Sequence, residues 1–379
     1  MGSVEAPAVC VRVPFLDLRP AHAGLKRGLL TAFSDLIDAG SFANGPQIEE
    51  FEHSFATYCA TAHCIGVSCG LDALRLALLA ADIEPGDEVL VPANTFVATF
   101  EAVTQAGGLP VPVDVTEVDY NLDVAAAAAS ISPRTRFVLP VHLYGQMADM
   151  RALLELGGAH RLHVVEDACQ AHGAERDGLR AGAGGLAGAF SFYPGKNLGA
   201  FGDAGALVTD DAEIAARVRA LREHGQRTKY RHDRIGYTAR LDTIQAVVLS
   251  TKLPHLDRWN VERQTVARLY TEVLDGVGDL VLPPVAERSH PVWHLYPVRT
   301  AKRAALAEFL QARGIATGRH YPEPPHLSRA YRALGYGRGD FPVTEALAEE
   351  LVSLPIFPGI TEQQLDAVTT AVREYFARG

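Results

Sequence analysis

The residues best suited to covalent chemistry are Lys196 and Asp167, about thirty positions apart. Lys196 lies in Ser191-Phe192-Tyr193-Pro194-Gly195-Lys196-Asn197-Leu198-Gly199, directly after the apolar run Leu186 to Phe192. An apolar run that meets Pro-Gly reads as a buried strand ending in a turn, with the lysine carried on that turn. Burial disfavours an ammonium group and lowers its pKa, and the neutral amine is a nucleophile that forms a Schiff base with an aldehyde. Taken alone, a lysine after a strand is more often a solvated turn residue. Asp167 closes the β-branched run Leu162-His163-Val164-Val165-Glu166-Asp167, with Gln170 one turn later. A carboxylate there needs a cation or hydrogen-bond donors, although a helix N-cap would explain it as well. Gly70 and Leu71 stand where the helix-forming stretch Ala73 to Ala81 begins. Free N–H groups and the positive dipole end make such a start an anion site, though most strand–Gly–helix turns bind nothing.

The elements that must hold these groups follow from periodicity. Leu25, Leu29, Phe33, Leu36 and Ile37 recur at helical spacing, and Gly45-Pro46-Gln47 opens a second helix with Ile48, Phe51, Phe55 and Tyr58 on one face. Short apolar runs at 64–68, 89–92, 109–114, 137–142 and 162–167 alternate with helical stretches. That alternation predicts an α/β fold built on an open, mostly parallel sheet, whose ligands gather at the carboxyl ends of the strands. Phe96 follows one such strand end, placed either to lie on a flat ligand ring or to pack in the core. A nucleophilic lysine, an acid and an anion-binding helix start fit pyridoxal 5'-phosphate, with the aldehyde on Lys196, the pyridinium proton held by Asp167 and the phosphate at the helix start. Residues 251–379 read as a smaller α/β domain after a large cofactor-binding domain, 1–250, that includes an N-terminal arm. In the smaller domain we expect a helix from Leu253 to Val266, a strand Trp293 to Val298, a helix Arg303 to Arg313 ended by Gly314, and a strand or loop at 317–322 facing the cleft.

Composition excludes some classes. With 379 residues, 35 Lys+Arg against 45 Asp+Glu and a net charge of −10, the chain is not built as a general nucleic-acid or membrane-surface binder. Five scattered cysteines (Cys10, Cys59, Cys64, Cys69, Cys169) form no CxxC pair and no zinc-finger spacing with histidine, so no metal is expected and reduced thiols are. Met1 to Val13 has no apolar run of signal-peptide length, and no stretch approaches the ~18 apolar residues of a membrane span. A cytoplasmic protein is the expectation.

Together the runs Gly86-Asp87-Glu88-Val89 with Pro92 and Thr95-Phe96, Pro140 to Gly145, Glu166 to Ala174, Ser191 to Gly202, Leu241-Asp242 and Trp293 to Tyr296 resemble the DegT-type nucleotide-sugar aminotransferases. These are fold-type I pyridoxal-phosphate enzymes, and the likeness runs from about Val13 to the last helix. It implies that Lys196 is the Schiff-base lysine and proton shuttle, Asp167 the partner of the pyridine nitrogen, and Gln170 the donor near the ring hydroxyl. It further implies that Ser191 with the backbone of Gly70 and Leu71 cradles the phosphate and that Phe96 stacks on the ring. In the family a second subunit of a homodimer completes the site with a segment aligned to Gly236 through Arg240, where Thr238 replaces the usual asparagine. Cys69 likewise stands where asparagine is common.

Within the family, the runs 70–74, 191–203, 252–260 and 320–326 look most like enzymes that aminate C3 of a dTDP-linked 3-keto-6-deoxyhexose with L-glutamate as donor. His320, Tyr321 and His326 are candidate sugar contacts by this resemblance, or else packed or surface residues. Arg222, Lys229, Tyr230 and Arg231 could meet diphosphate and base, or form a solvated helix end. The alternatives are a C4 aminotransferase acting on a 4-keto sugar and a non-catalytic, cofactor-binding regulator. A dehydratase fits less well, since related dehydratases carry histidine where this chain has Lys196.

Overall fold

The computed structural model describes residues 11–378, so Cys10 and most of the stretch read for a signal peptide lie outside them. Helices α1 (Arg19–Ala23), α2 (Lys26–Ala39) and α3 (Pro46–Cys59) lead into the first strand. Pro46 sits in the first turn of α3, where its missing N–H has no intrahelical role, and Gly40 ends α2 at φ 63°, a conformation that a side chain disfavours.

Seven strands form the main sheet: β1 (His63–Val67), β2 (Glu88–Pro92), β3 (Leu109–Val113), β4 (Thr135–Val138), β5 (His163–Asp167), β6 (Ala187–Ser191) and β7 (Gly205–Thr209). Their order is β1-β7-β6-β5-β4-β2-β3, and β7 alone among them runs against its neighbours. Helix α4 (Gly70–Ala80) follows β1 and α5 (Val97–Gln105) follows β2, so both begin at the carboxyl edge of the sheet. Apolar clusters cover both faces, which is what a mostly parallel sheet requires.

The two-residue period of a strand decides which side chains meet. On β5, Val165 and Asp167 face the side on which α4 and α5 pack, while Val164 and Glu166 face the other. On β6, Ala187, Ala189 and Ser191 share the α4 side, and Phe190 and Phe192 pack with Phe55 on the opposite face. The register sets Asp167 opposite Ala189, so Ser191 lies two residues beyond on the same face. Strand alternation thus delivers the aspartate and the serine to one place.

A third apolar cluster holds the antiparallel strands Tyr296–Arg299 and Leu351–Leu354 with the helices Leu256–Leu274, Arg303–Gln311 and Glu362–Ala377. Val13 packs in this cluster, its N–H donating to the Gly314 carbonyl at 2.9 Å, so the chain at Val13 is held by this cluster rather than by the main sheet. The strand expected from Trp293 begins only at Tyr296. Trp293 has φ 48°, and the N–H groups of Val292 and Leu295 are taken by the carbonyls of Gly145 and Tyr144, which docks this stretch on a loop beside the cleft. The helix expected to end at Val266 continues to Leu274. Residues 317–322 form a loop, linked through Gly318 to Ser353 and containing a cis bond between His320 and Tyr321. No helix among the described residues is long and apolar enough to cross a membrane.

Candidate active site

Lys196 rides on a tight turn at the end of β6. Its N–H donates to the Tyr193 carbonyl at 2.8 Å, and the Ala200 N–H returns to the Phe192 carbonyl at 2.7 Å. Asn197 Nδ2 fixes the turn by donating to Asn260 Oδ1 and to the Val292 carbonyl, both at 2.9 Å. Lys252 Nζ fixes its far end by donating to the Gly199 carbonyl. The Lys196 side chain enters a cavity of about 370 Å³ at the carboxyl edge of the sheet. Burial pushes its amine below the usual lysine range, against the opposing pull of the Cys169 thiol and the Asp167 carboxylate.

Asp167 lines the same cavity and is itself buried. Its Oδ2 accepts from Thr99 Oγ1 at 2.9 Å and its Oδ1 from the Cys169 N–H at 3.2 Å. The preceding carboxylate, Glu166, points to the other face and does a different job. Burial alone would raise its pKa, but His142 at 2.7 Å and the N–H groups of Gly182, Gly184 and Gly185 outweigh that and hold it below the usual range. Gln170 is oriented by its backbone neighbours: the Tyr144 N–H donates to Oε1 at 2.8 Å, which turns Nε2 toward the Tyr321 hydroxyl at 3.0 Å.

Gly70 and Leu71 head α4 at the wall of the cavity beside Ser191. Cys69 caps this helix, its Sγ accepting from the Asp72 N–H at 3.4 Å. A methyl group on Gly70 would lie 2.7 Å from both Cys169 Sγ and Ser191 Cβ, so only glycine lets the helix start come this close to the strand end. Phe96 is half-exposed at the cavity, its ring 5.3 Å from that of Tyr321.

Of the remaining candidates, Tyr321 lines the cavity and the others lie outside its lining. His320 is packed: its ring stacks on Phe15 at 5.5 Å, Nδ1 meets Ser353 Oγ at 3.0 Å, and burial together with the Lys196 charge lowers its pKa to about 4. For His326 the packed alternative holds: it is buried away from the cavity against Phe341 and Glu345, because the short helical turn Pro325–Leu327 folds it inward. Tyr230 and Arg231 sit on an exposed hairpin, Gln226–Thr228 with Arg231–His232, and Thr238 meets His224 at 3.3 Å, all outside this chain's own cavity. Arg222 is not free for a diphosphate, since it donates to Glu52 at 2.5 Å and to the Gly66 carbonyl at 2.6 Å. It borders an open groove of about 1030 Å³ that mixes Arg219 and Lys229 with Glu49 and Glu213 and holds no comparable constellation.

Sequence reasoning missed Thr99, Cys169, Asn197 and Lys252. The first two stand at cavity-facing positions next to Asp167, a placement that shows only once the β2–α5 and β5–β6 junctions are set side by side.

A comparison with protein families matches residues 25–373 to the DegT/DnrJ/EryC1/StrS aminotransferase family. The chain belongs to that family. It is 49% identical over 367 residues, 97% of each chain, to a dTDP-3-amino-3,4,6-trideoxy-alpha-D-glucose transaminase of Streptomyces venezuelae. It is 47% identical over 361 residues, 95% of this chain and 99% of the relative, to the erythromycin biosynthesis sensory transduction protein EryC1 of Saccharopolyspora erythraea. The crystal structure of S. venezuelae DesV in complex with a ketimine intermediate superposes with a TM-score of 0.95, at 49% identity, over 97% of this chain and 99% of that one. The expected fold class, a large, mostly parallel sheet of the family's aminotransferase type, is what the structure contains.

The family depends on pyridoxal phosphate. The residues present fit that group on their own terms. A glycine whose missing Cβ opens the start of α4 beside Ser191 suits a phosphate, Asp167 offers a fixed acceptor, and Lys196 offers an amine on the same cavity.

Proposed function

We propose that this chain transfers an amino group from L-glutamate to C3 of a dTDP-linked 3-keto-6-deoxyhexose, with pyridoxal phosphate held as a Schiff base on Lys196. What carries the reading is the convergence of Lys196, Asp167 and the start of α4 on one cavity, in a chain 49% identical over 97% of its length to a dTDP-3-amino sugar transaminase. When bound, the cofactor supplies an electron sink for the carbon that gains or loses nitrogen.

The chain's own groups do the rest. The first N–H groups of α4 with Ser191 would hold the phosphate, Phe96 would flank the ring, and Gln170 Nε2 would offer a donor to its hydroxyl. The Asp167 carboxylate would accept a hydrogen bond from the protonated ring nitrogen and stabilise its charge. Lys196 Nζ, on the same cavity, would be the base that holds and returns the donor's α-proton. Burial lowers its pKa and so favours the neutral amine that this role needs.

Charge supports a homodimer. The ionisable carboxylates on the cavity are Asp167, Glu101 and Asp203, against the one amine of Lys196, yet glutamate and a nucleotide diphosphate are both anionic. The exposed hairpin with Arg227, Lys229 and Arg231, followed by Thr238, is the basic segment that a second copy can bring to that mouth.

Incubating the purified protein with glutamate and either dTDP-3-keto- or dTDP-4-keto-6-deoxyhexose, and locating nitrogen in the product by NMR, tests the assignment. We expect amination at C3; amination at C4 overturns the position. A second reading, a regulator without turnover, draws on the sensory-transduction name of the EryC1 relative. It predicts bound cofactor whose absorbance does not change on adding glutamate.

A further inference from the structure

The junction between β2 and α5 does two things at once. It places Phe96 at the cavity, and one turn later it places Thr99 against Asp167. Thr99 is buried, and its Oγ1 lies 2.9 Å from Asp167 Oδ2 and 2.8 Å from Thr95 Oγ1. An ionised carboxylate only accepts, so the single proton of the Thr99 hydroxyl goes to Asp167. Thr99 then has none left for Thr95, and Thr95 must donate to Thr99. The other carboxylate oxygen accepts the Cys169 N–H. The result is a short relay, Thr95 to Thr99 to Asp167, in which every proton points toward the carboxylate.

We propose that Thr99, supported by Thr95, is the positioning residue that keeps Asp167 oriented as an acceptor for a protonated ring nitrogen. The inference rests on the assignment of Asp167 made above and extends it. A buried carboxylate oxygen without a donor is costly, and a carboxylate held on one side only can turn away from the group it must accept from. A ring nitrogen facing a misoriented carboxylate would be held less firmly in its charged form. Thr99 opposes that by donating to Oδ2 while the Cys169 N–H donates to Oδ1, so the carboxylate is held at both oxygens. The i,i+4 spacing of Thr95 and Thr99 across the start of α5 is what aligns the two hydroxyls. Both threonines line the cavity, and the contact Thr99 makes there is with Asp167, so its effect on a bound cofactor would run through that carboxylate.

The test compares Thr99→Val, which keeps shape and removes the hydroxyl, with Thr99→Ser, which keeps the hydroxyl, and with Asp167→Ala. Cofactor dissociation is measured by equilibrium dialysis, and the visible absorbance of bound cofactor is titrated with pH. Removing one hydrogen bond to a charged group should weaken cofactor binding by roughly tenfold to a hundredfold in Thr99→Val. The absorbance titration should shift, and Thr99→Ser should restore both. The cofactor-free Thr99→Val protein should melt close to the wild type. Should Thr99→Val not fold, Thr99→Ala with Thr99→Ser as its control carries the same comparison. Wild-type dissociation and titration in Thr99→Val (or Thr99→Ala), with Asp167→Ala impaired, would overturn this inference and leave the assignment of Asp167 standing. Wild-type behaviour in Asp167→Ala would instead overturn that assignment.

Discussion

Lys252 is a buried cation that the proposed chemistry does not consume, and it makes a demanding prediction. Its side chain is 3% exposed, and it donates to the Gly199 carbonyl and to His22 Nε2 at 3.0 Å. The amine also stands over the rings of Phe201 and Trp259, at 5.6 and 5.8 Å. Burial lowers its pKa from 10.5 to about 8. The folded chain therefore loses this proton about 2.5 pH units before the unfolded chain does. Between about pH 8 and 10.5 the unfolded state binds more protons, so this group makes stability rise with pH, by about 3 kcal/mol across the window. Below about pH 8 both states are protonated and the full penalty is present.

Lys252→Met removes that penalty and its pH slope. It also leaves the Gly199 carbonyl and His22 without a donor, at a cost of about 1–3 kcal/mol. The two effects offset each other near neutral pH, so net stability there should stay within about 2 kcal/mol of the wild type. The slope between pH 8 and 10.5 should flatten, and the loosened turn should hold cofactor more weakly. Urea denaturation at several pH values, with cofactor dissociation measured on the same samples, checks both statements. Parallel stability curves for variant and wild type, with unchanged cofactor affinity, would refute the reasoning.

Other outcomes follow from the same geometry. Gly70→Ala drives a methyl group to within 2.7 Å of Cys169 Sγ and Ser191 Cβ, so it should lose about 1–3 kcal/mol and bind cofactor less well, and Cys169→Ala in the same chain should relieve part of the loss in thermal melts. His326→Ala should lower stability by about 2–4 kcal/mol through the cavity it leaves, while the KM for the sugar nucleotide in the folded fraction stays at the wild-type value.

The parts of the site written into local sequence were legible. A strand that runs into Pro-Gly carries Lys196 on a turn, a β-branched run ends in Asp167, and a glycine starts the helix at Gly70, each a matter of a few neighbouring residues. Long-range pairing was not legible in the same way. That β7 runs antiparallel between β1 and β6 depends on which strands meet. Trp293 looked like strand because its neighbours are apolar, yet the loop at Tyr144 and Gly145 takes the backbone hydrogen bonds instead. His326 looked like a ligand by motif, and a turn of helix with Glu345 and Phe341 buries it. Lys252 and Gly199 are 53 residues apart, so no local window contains their contact.

The most direct test is to map the cofactor's covalent attachment. The purified, cofactor-loaded protein is reduced with borohydride, digested and sequenced by mass spectrometry. The account predicts a pyridoxyl group on the peptide containing Lys196 and on no other lysine. A modified Lys252, or a protein that binds the cofactor and yields no modified lysine after reduction, would contradict it.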